Sequence, residues 1–291
     1  MSAATDFAEL RKLPPEDAVA WLAGRGQLTR SFAWQDVFQD EHGHQFTISR
    51  LTRLDLLQAI HEAIVQSVQG DLSRSDWMQD VEQLLRDAGW WGTKAVTDPV
   101  DGDIKLTRFD AARLRLIFDT NTRQAYATGL WDRVERSKRT HPFVRYITRQ
   151  DERVRASHRA WDNLALPVDD PFWLQHWPPN GWRCRCRVMS MTQRDYDKGY
   201  TLSRPGAETD PDAPLVRTSI KTQAPKEVLQ EYTNPRTGEV TQVPEGIDPG
   251  FAYNPGIARK QALQQLVDGK LKGADPALSR AARRAGLSEK E

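Results

Sequence analysis

The chain has 291 residues, 41 basic and 40 acidic, for a formal net charge of +1, with 38 % hydrophobic residues and ten tryptophans. Such a length suits one large domain or two to three smaller ones, and the charge balance excludes a protein that coats nucleic acid over its whole surface, leaving only a local basic patch open. No window approaches roughly 18 consecutive apolar residues, so no transmembrane helix and no membrane partner is expected.

The opening "MSAATDFAELRKLPPEDAV" lacks a basic region followed by an apolar one, so no signal peptide is expected. Two cysteines cannot build a disulfide framework, which suits a chain made in a reducing cytosol. Residues 1–100 read as a helical N-terminal region. In "PPEDAVAWLAGR", Pro14 and Pro15 precede an acidic turn and apolar Ala18, Val19, Trp21 and Leu22, a helix start. A second helix carries Leu54, Leu57, Ile60, Ile64 and Val68 at spacings of three and four and ends at Gly70. A third carries Trp77, Val81, Leu84 and Leu85 and stops at Gly89. "VTDPVDGD" then reads as a turn-rich boundary.

Residues 101–200 read as a compact mixed module. A long helix is predicted from about Thr107 to Ser137, with Leu114, Ile117, Tyr126, Leu130 and Val134 as its apolar stripe and Gly129 as a weak point. "HPFVRYITR" reads as a strand and "DERVRASHRAWD" as a short helix or tight connection. Asp169 and Asp170 precede "PFWLQHW", with Pro171 placed for a first helical turn, so helix capping is their expected role.

Both cysteines lie in "PPNGWRCRCR". Read as a strand opened by the Asn180-Gly181 turn, it puts Trp182, Cys184, Cys186 and Val188 on one face and Arg183, Arg185 and Arg187 on the other. The plain expectation is two buried free thiols beneath a wet or partnered row of arginines. A disulfide between residues two apart is strained and is not expected. The sharper alternative is a structural zinc held by His158, Cys184, Cys186 and a fourth ligand from His141, His176 or Asp162, although C-x-C is less usual than C-x₂-C and no second cysteine pair exists. From Arg145 to Arg187 there are eight arginines, no lysine and five acids. Arg153, Arg155 and the Arg183 row either form an internal network with Asp169, Asp170 and the acids of "DER", or offer an interface to phosphate or to an acidic protein surface. His158 and Asp162, four apart, would share a helix face as an oriented base. No nucleophile elbow and no phosphate-cradling glycine loop accompanies them, which argues against an enzyme and a small-molecule substrate.

Residues 201–291 read as a proline-rich extension with little core of its own. "EYTNPRTGEVTQVPEG" is a predicted hairpin turning at Thr237-Gly238, and "IARKQALQQLVDGKL" a predicted helix before a basic tail containing Arg280, Arg283 and Arg284.

The run from Arg145 to Tyr196, with D-E-R-V-R-x-S-H, the bridge to D-D-P-F-W and P-P-N-G-W-R-C-R-C-R, resembles the core of the bacteriophage Mu F-like head morphogenesis proteins, the minor head proteins of tailed phages and prophages. "LIFDTNTRQAYATGLW", "VPEGIDPGFAYNPG" and the N-terminal "FAWQDVFQDEHGHQFTISR" with "LDLL" extend the resemblance over most of residues 15–256. One departure is Asn163, where the family pattern has glycine; asparagine tolerates a left-handed backbone, so the turn survives.

The combined expectation is an α+β protein: a helical N-terminal region, a compact α/β module and a loop-rich extension. The resemblance implies a virion or prohead component, made in the bacterial cytoplasm, that works beside the portal with portal, scaffold and capsid proteins and bears on DNA packaging or delivery. It carries over no catalytic residue and no cofactor. The alternatives are a DNA-binding protein at the packaged genome end and a metal-dependent hydrolase built on His158 and the two cysteines.

Overall fold

In a computed structural model of the chain, residues 15–203 and 214–272 are described, with residues 275 and 280 besides. Arg283, Arg284 and most of the predicted proline-rich loop after Ser203 fall outside them. The fold is mixed α and β, with helices alternating with several small sheets.

Helix α1 (Pro15–Gly24) leads through the two-residue strands β1 (Gln27–Leu28) and β2 (Gln45–Phe46), which pair in parallel, to α2 (Leu54–Gln69) and α3 (Arg74–Asp87). The expected stripe of α2 is buried at Leu57, Ile60, Ile64 and Val68, but Leu54 is exposed and Leu56 takes its place in the core. Gly70 closes α2 in the left-handed region, φ 99°, and its N–H donates back to the Gln66 carbonyl. Ser73 caps α3 by accepting the Asp76 N–H at 3.1 Å.

The turn-rich stretch after Val96 is the tip of an antiparallel hairpin, β3 (Gly92–Thr97) with β4 (Ile104–Phe109). The next helix, α4 (Ala111–Ser137), therefore starts later than the predicted Thr107, because Thr107 to Phe109 are paired in β4 and Asp110 caps the helix, accepting the Arg113 N–H at 2.9 Å. Gly129 is a close approach between helices, not a weak point. A Cβ there would sit 3.1 Å from the Ala18 nitrogen and from the Asp17 Cβ of α1.

Helix α4 serves two cores. Leu114, Ile117, Phe118, Ala125 and Tyr126 pack with α1 to α3, Phe46 and Phe109. Ala127, Trp131 and Val134 pack in a second cluster with Tyr146, Trp161, Trp173 and Trp177. That second core holds the antiparallel sheet β6–β5–β7, made of β5 (Phe143–Ile147), β6 (Ala165–Pro167) and β7 (Arg187–Met191). Between β5 and β6 lies the short helix α5 (Ala156–Trp161).

After α6 (Gln193–Asp197) come β8 (Tyr200–Ser203) paired with β9 (Val216–Ser219), then the predicted hairpin, β10 (Leu229–Thr233) with β11 (Val240–Pro244). Asn163 stands at φ 62° and shows why a side chain serves at that turn. Its amide donates to the Ser219 carbonyl at 2.8 Å, and its oxygen accepts the Thr201 hydroxyl at 3.0 Å, tying both β8 and β9 to the sheet. The extension has little core of its own because Val243, Ile247, Phe251 and Ala252 complete the second cluster. The chain then enters α7 (Pro255–Lys272).

Candidate functional site

The arginine–cysteine segment is not one strand. Arg183 sits at φ 60° in a turn, and β7 begins only at Arg187. The expected faces therefore hold from Cys184 onward but fail at Trp182, which is 38 % exposed and meets Phe251 edge-on at 5.0 Å. The physical reason lies in the turn. The Trp182 N–H donates to the Asp248 carboxylate at 2.8 Å and the Cys184 N–H to the Gly181 carbonyl at 3.1 Å, so the backbone there has no strand partner.

Both cysteines are free thiols, Cys184 buried and Cys186 partly so. His158 reaches them from α5. Its Nε2 lies 2.9 Å from the Gly246 carbonyl, which can only accept, so Nε2 carries a proton and, in the neutral ring, Nδ1 presents the lone pair. That Nδ1 is 3.7 Å from the Cys184 sulfur and 3.5 Å from the Cys186 sulfur, and the three ligand atoms lie within 4.8 Å of one another. The thiol pair is polarised: the hydrogen bond from Cys186 holds the Cys184 thiol well below the ordinary range, and the same contact pushes Cys186 above it. The buried phenol of Tyr146 stands beside Cys186 and donates to the Asn180 side chain at 2.8 Å.

The residues considered as a fourth ligand are engaged elsewhere. Asp162 accepts from the Thr148 N–H at 2.7 Å and its hydroxyl at 2.9 Å; it does not orient His158. His176 meets the Phe172 carbonyl at 3.1 Å, and His141 meets the Thr140 hydroxyl.

The arginines divide. Arg185 forms a two-pronged pair with Asp151, both contacts 2.6 Å, which holds the Asp151 carboxyl below its usual range. Arg155 pairs with Asp248 at 3.0 and 3.2 Å and also donates to the Trp182 carbonyl. Arg187 is exposed at the start of β7, opposite Ile147. Asp169 binds Lys138 and Asp170 accepts the Phe172 N–H, so neither meets the arginine row; Asp170 does cap a turn of 3₁₀ helix at Pro171–Leu174.

His158, both cysteines, Trp182 and Arg153, Arg155, Arg183 and Arg185 line one cleft of about 890 Å³. Sequence reasoning missed its opposite wall, Arg74 of α3 with Arg115 and Arg123 of α4. Asp119, paired with Arg74 at 2.8 Å, is the one acid among the residues lining it. The signal was Arg115, Asp119 and Arg123 at successive fours, one face of α4. Arg123 donates to the Cys184 carbonyl at 3.1 Å, closing the two walls together. Gly246 and Asp248 were missed as well, because nothing local marks a backbone carbonyl or a lone aspartate as the partner of residues almost a hundred positions earlier.

A family model described as Phage Mu protein F like protein matches residues 58–189. This stretch is a Mu F-like region. The chain is 30 % identical over 273 residues, 90 % of its length, to the putative capsid assembly protein F of Escherichia phage Mu. It is 26 % identical over 249 residues, 82 % of its length, to the Mu-like prophage FluMu F protein of Haemophilus influenzae. The chain spans 58 % of the length of each of these relatives. No solved structure matches it. The Mu F-like region ends just inside β7, so it takes in the cysteines and both arginine walls, while Gly246 and Asp248 come from beyond it.

A pH dependence arises close to this site. His176, 4 % exposed and stacked on Phe172 at 4.0 Å, has its pKa lowered by burial to about 4. The unfolded chain then binds the proton more readily than the fold does, so stability is full above pH about 6.5 and is lost as pH falls toward 4. Between pH 7 and 5 His176→Gln is expected to lose about 2 kcal/mol less stability than the parent chain, read from urea unfolding at both pH values. Parallel losses in the two proteins would assign the acid sensitivity to other groups.

Proposed function

We propose that this chain is a minor head protein of a tailed phage or prophage, acting in capsid or prohead assembly beside the portal. The reading rests on the similarity to a protein named for capsid assembly, and the observation that carries it to a surface is the arginine-walled cleft. Arg115, Arg153 and Arg183 line it without a side-chain partner among the described residues, so three guanidinium groups face an acidic surface that the chain itself does not supply. The role we read is structural, because the similarity is to a protein named for capsid assembly. No helix among the described residues is long and apolar enough to cross a membrane. The site of action is the prohead or virion, with portal, scaffold and capsid subunits as partners.

The test is assembly. Arg183→Ala and Arg153→Ala, alone and combined, are expected to leave the protein folded, since neither side chain is paired, and to cut the yield of filled heads at least tenfold in the double variant. Co-sedimentation with portal or prohead fractions should fall in step. Normal head yield from the folded double variant would remove the cleft from the assembly interface.

The same unpaired cations favour a second reading, contact with packaged DNA. Duplex binding would then weaken steeply from low to moderate salt, and the Arg153→Ala/Arg183→Ala variant would show a shallower slope. Absent or salt-insensitive binding would leave the acidic protein surface as the partner.

A further inference from the structure

The geometry points to a zinc site made by His158 Nδ1, Cys184 Sγ and Cys186 Sγ, with its fourth position open to the cleft and filled by water. Such a site does not depend on the assembly role.

A tetrahedral zinc with Zn–S of about 2.3 Å and Zn–N of about 2.0–2.1 Å sets its sulfur and nitrogen ligands about 3.5–3.6 Å apart. The observed separations from Nδ1 are 3.7 Å to Cys184 and 3.5 Å to Cys186, so each sulfur already stands from the nitrogen at the corner-to-corner distance of such a tetrahedron. The imidazole is oriented as a ligand requires: Nε2–H donates to the Gly246 carbonyl at 2.9 Å, which fixes the tautomer and aims the Nδ1 lone pair at the sulfurs. Two thiolates and an imidazole are a soft donor set that suits zinc and disfavours calcium or magnesium. Two thiolates also neutralise the ion, so no net charge is added beneath the surrounding arginines. Both protons leave to solvent on binding.

The fourth ligand differs from the sequence expectation. Asp162, His176 and His141 are held by other partners, and the group of donors close enough to share an ion comprises three residues among those described. All three line the cleft, so water from the cleft completes the shell. The ion would bond α5 to the cysteine segment, and His158 carries that bond on to the turn after β11.

The test uses the full chain, purified under reducing conditions without chelators. Elemental analysis should find about one zinc per chain, with zinc-edge absorption showing two sulfur and two nitrogen or oxygen neighbours. Cobalt(II) loaded into the unaltered protein should give a thiolate-to-metal charge-transfer band, which keeps the test independent of any variant's folding. Cys184→Ser/Cys186→Ser should lose the band and the zinc. The proposal is overturned by an unaltered protein that is metal-free and shows no cobalt band. It is equally overturned by zinc retained in the double variant, or by a shell of three or four sulfurs.

Discussion

Replacing Trp177 by alanine is expected to cost about 3–5 kcal/mol of folding stability, the range for a fully buried aromatic cut back to a methyl group. Trp177 is 0 % exposed. It meets Trp131 edge-on at 4.9 Å and Trp173 at 5.9 Å, and its Nε1–H donates to the Ala127 carbonyl at 3.0 Å. Ala127 is where α4 passes from the first core to the second, so this one indole pins the helix to the tryptophan cluster under the cysteine segment. The three rings leave few alternative packings, and a cavity at their junction collapses poorly. Trp177→Phe keeps part of the filling and loses the donor, and is expected at about 1–2 kcal/mol. Chemical denaturation of the two variants separates volume from hydrogen bond. A Trp177→Ala cost below about 1 kcal/mol would mean that the second core is not organised around this ring.

What the sequence revealed of this fold follows from the range over which each signal acts. The stop of α2 and the Asp170 cap are set by residues within four positions of one another, and each stands where local chemistry put it. The end of β4, Thr107 to Phe109, was absorbed into the helix that follows because apolar Ile104 and Leu106 face outward while polar Thr107 faces inward, so the apolar residues do not mark the buried side of the strand. The cysteine segment was misread for the converse reason. Its alternation is clean on paper, but Asp248, far along the chain, captures the Trp182 N–H and bends the start of the run into a turn. The joining of His158 to Cys184 and Cys186 was legible only as donor chemistry, two thiols and an imidazole, against a C-x-C spacing that is less usual than C-x₂-C. The arginines opposite were not, since a helix face says which residues stand together and not which cleft they enter.

Gly246→Ala is expected to cost about 2–6 kcal/mol, and the cause divides into two measurable parts. The first is backbone. Gly246 lies at φ 93°, where a side chain costs about 1–3 kcal/mol. The second is space: a Cβ would sit 2.5 Å from both the Cβ and the Oγ of Ser157, one residue before His158 on α5. Overpacking of this kind typically costs about 1–3 kcal/mol. Ser157→Gly deletes both clashing atoms while costing about 0.5–1 kcal/mol itself as a helical glycine. Once that cost is subtracted, Gly246→Ala/Ser157→Gly should recover the packing part and retain the backbone part, a coupling of about 1–3 kcal/mol in a double-mutant cycle. The cycle bears on the site because the carbonyl that orients His158 belongs to Gly246. If the turn moves away from α5 to accept the methyl, His158 loses its acceptor and its ring is free to turn from the sulfurs. Zero coupling, with the full cost kept in the double variant, would show that the left-handed backbone alone demands glycine here and that α5 and the turn after β11 are not in contact through these atoms.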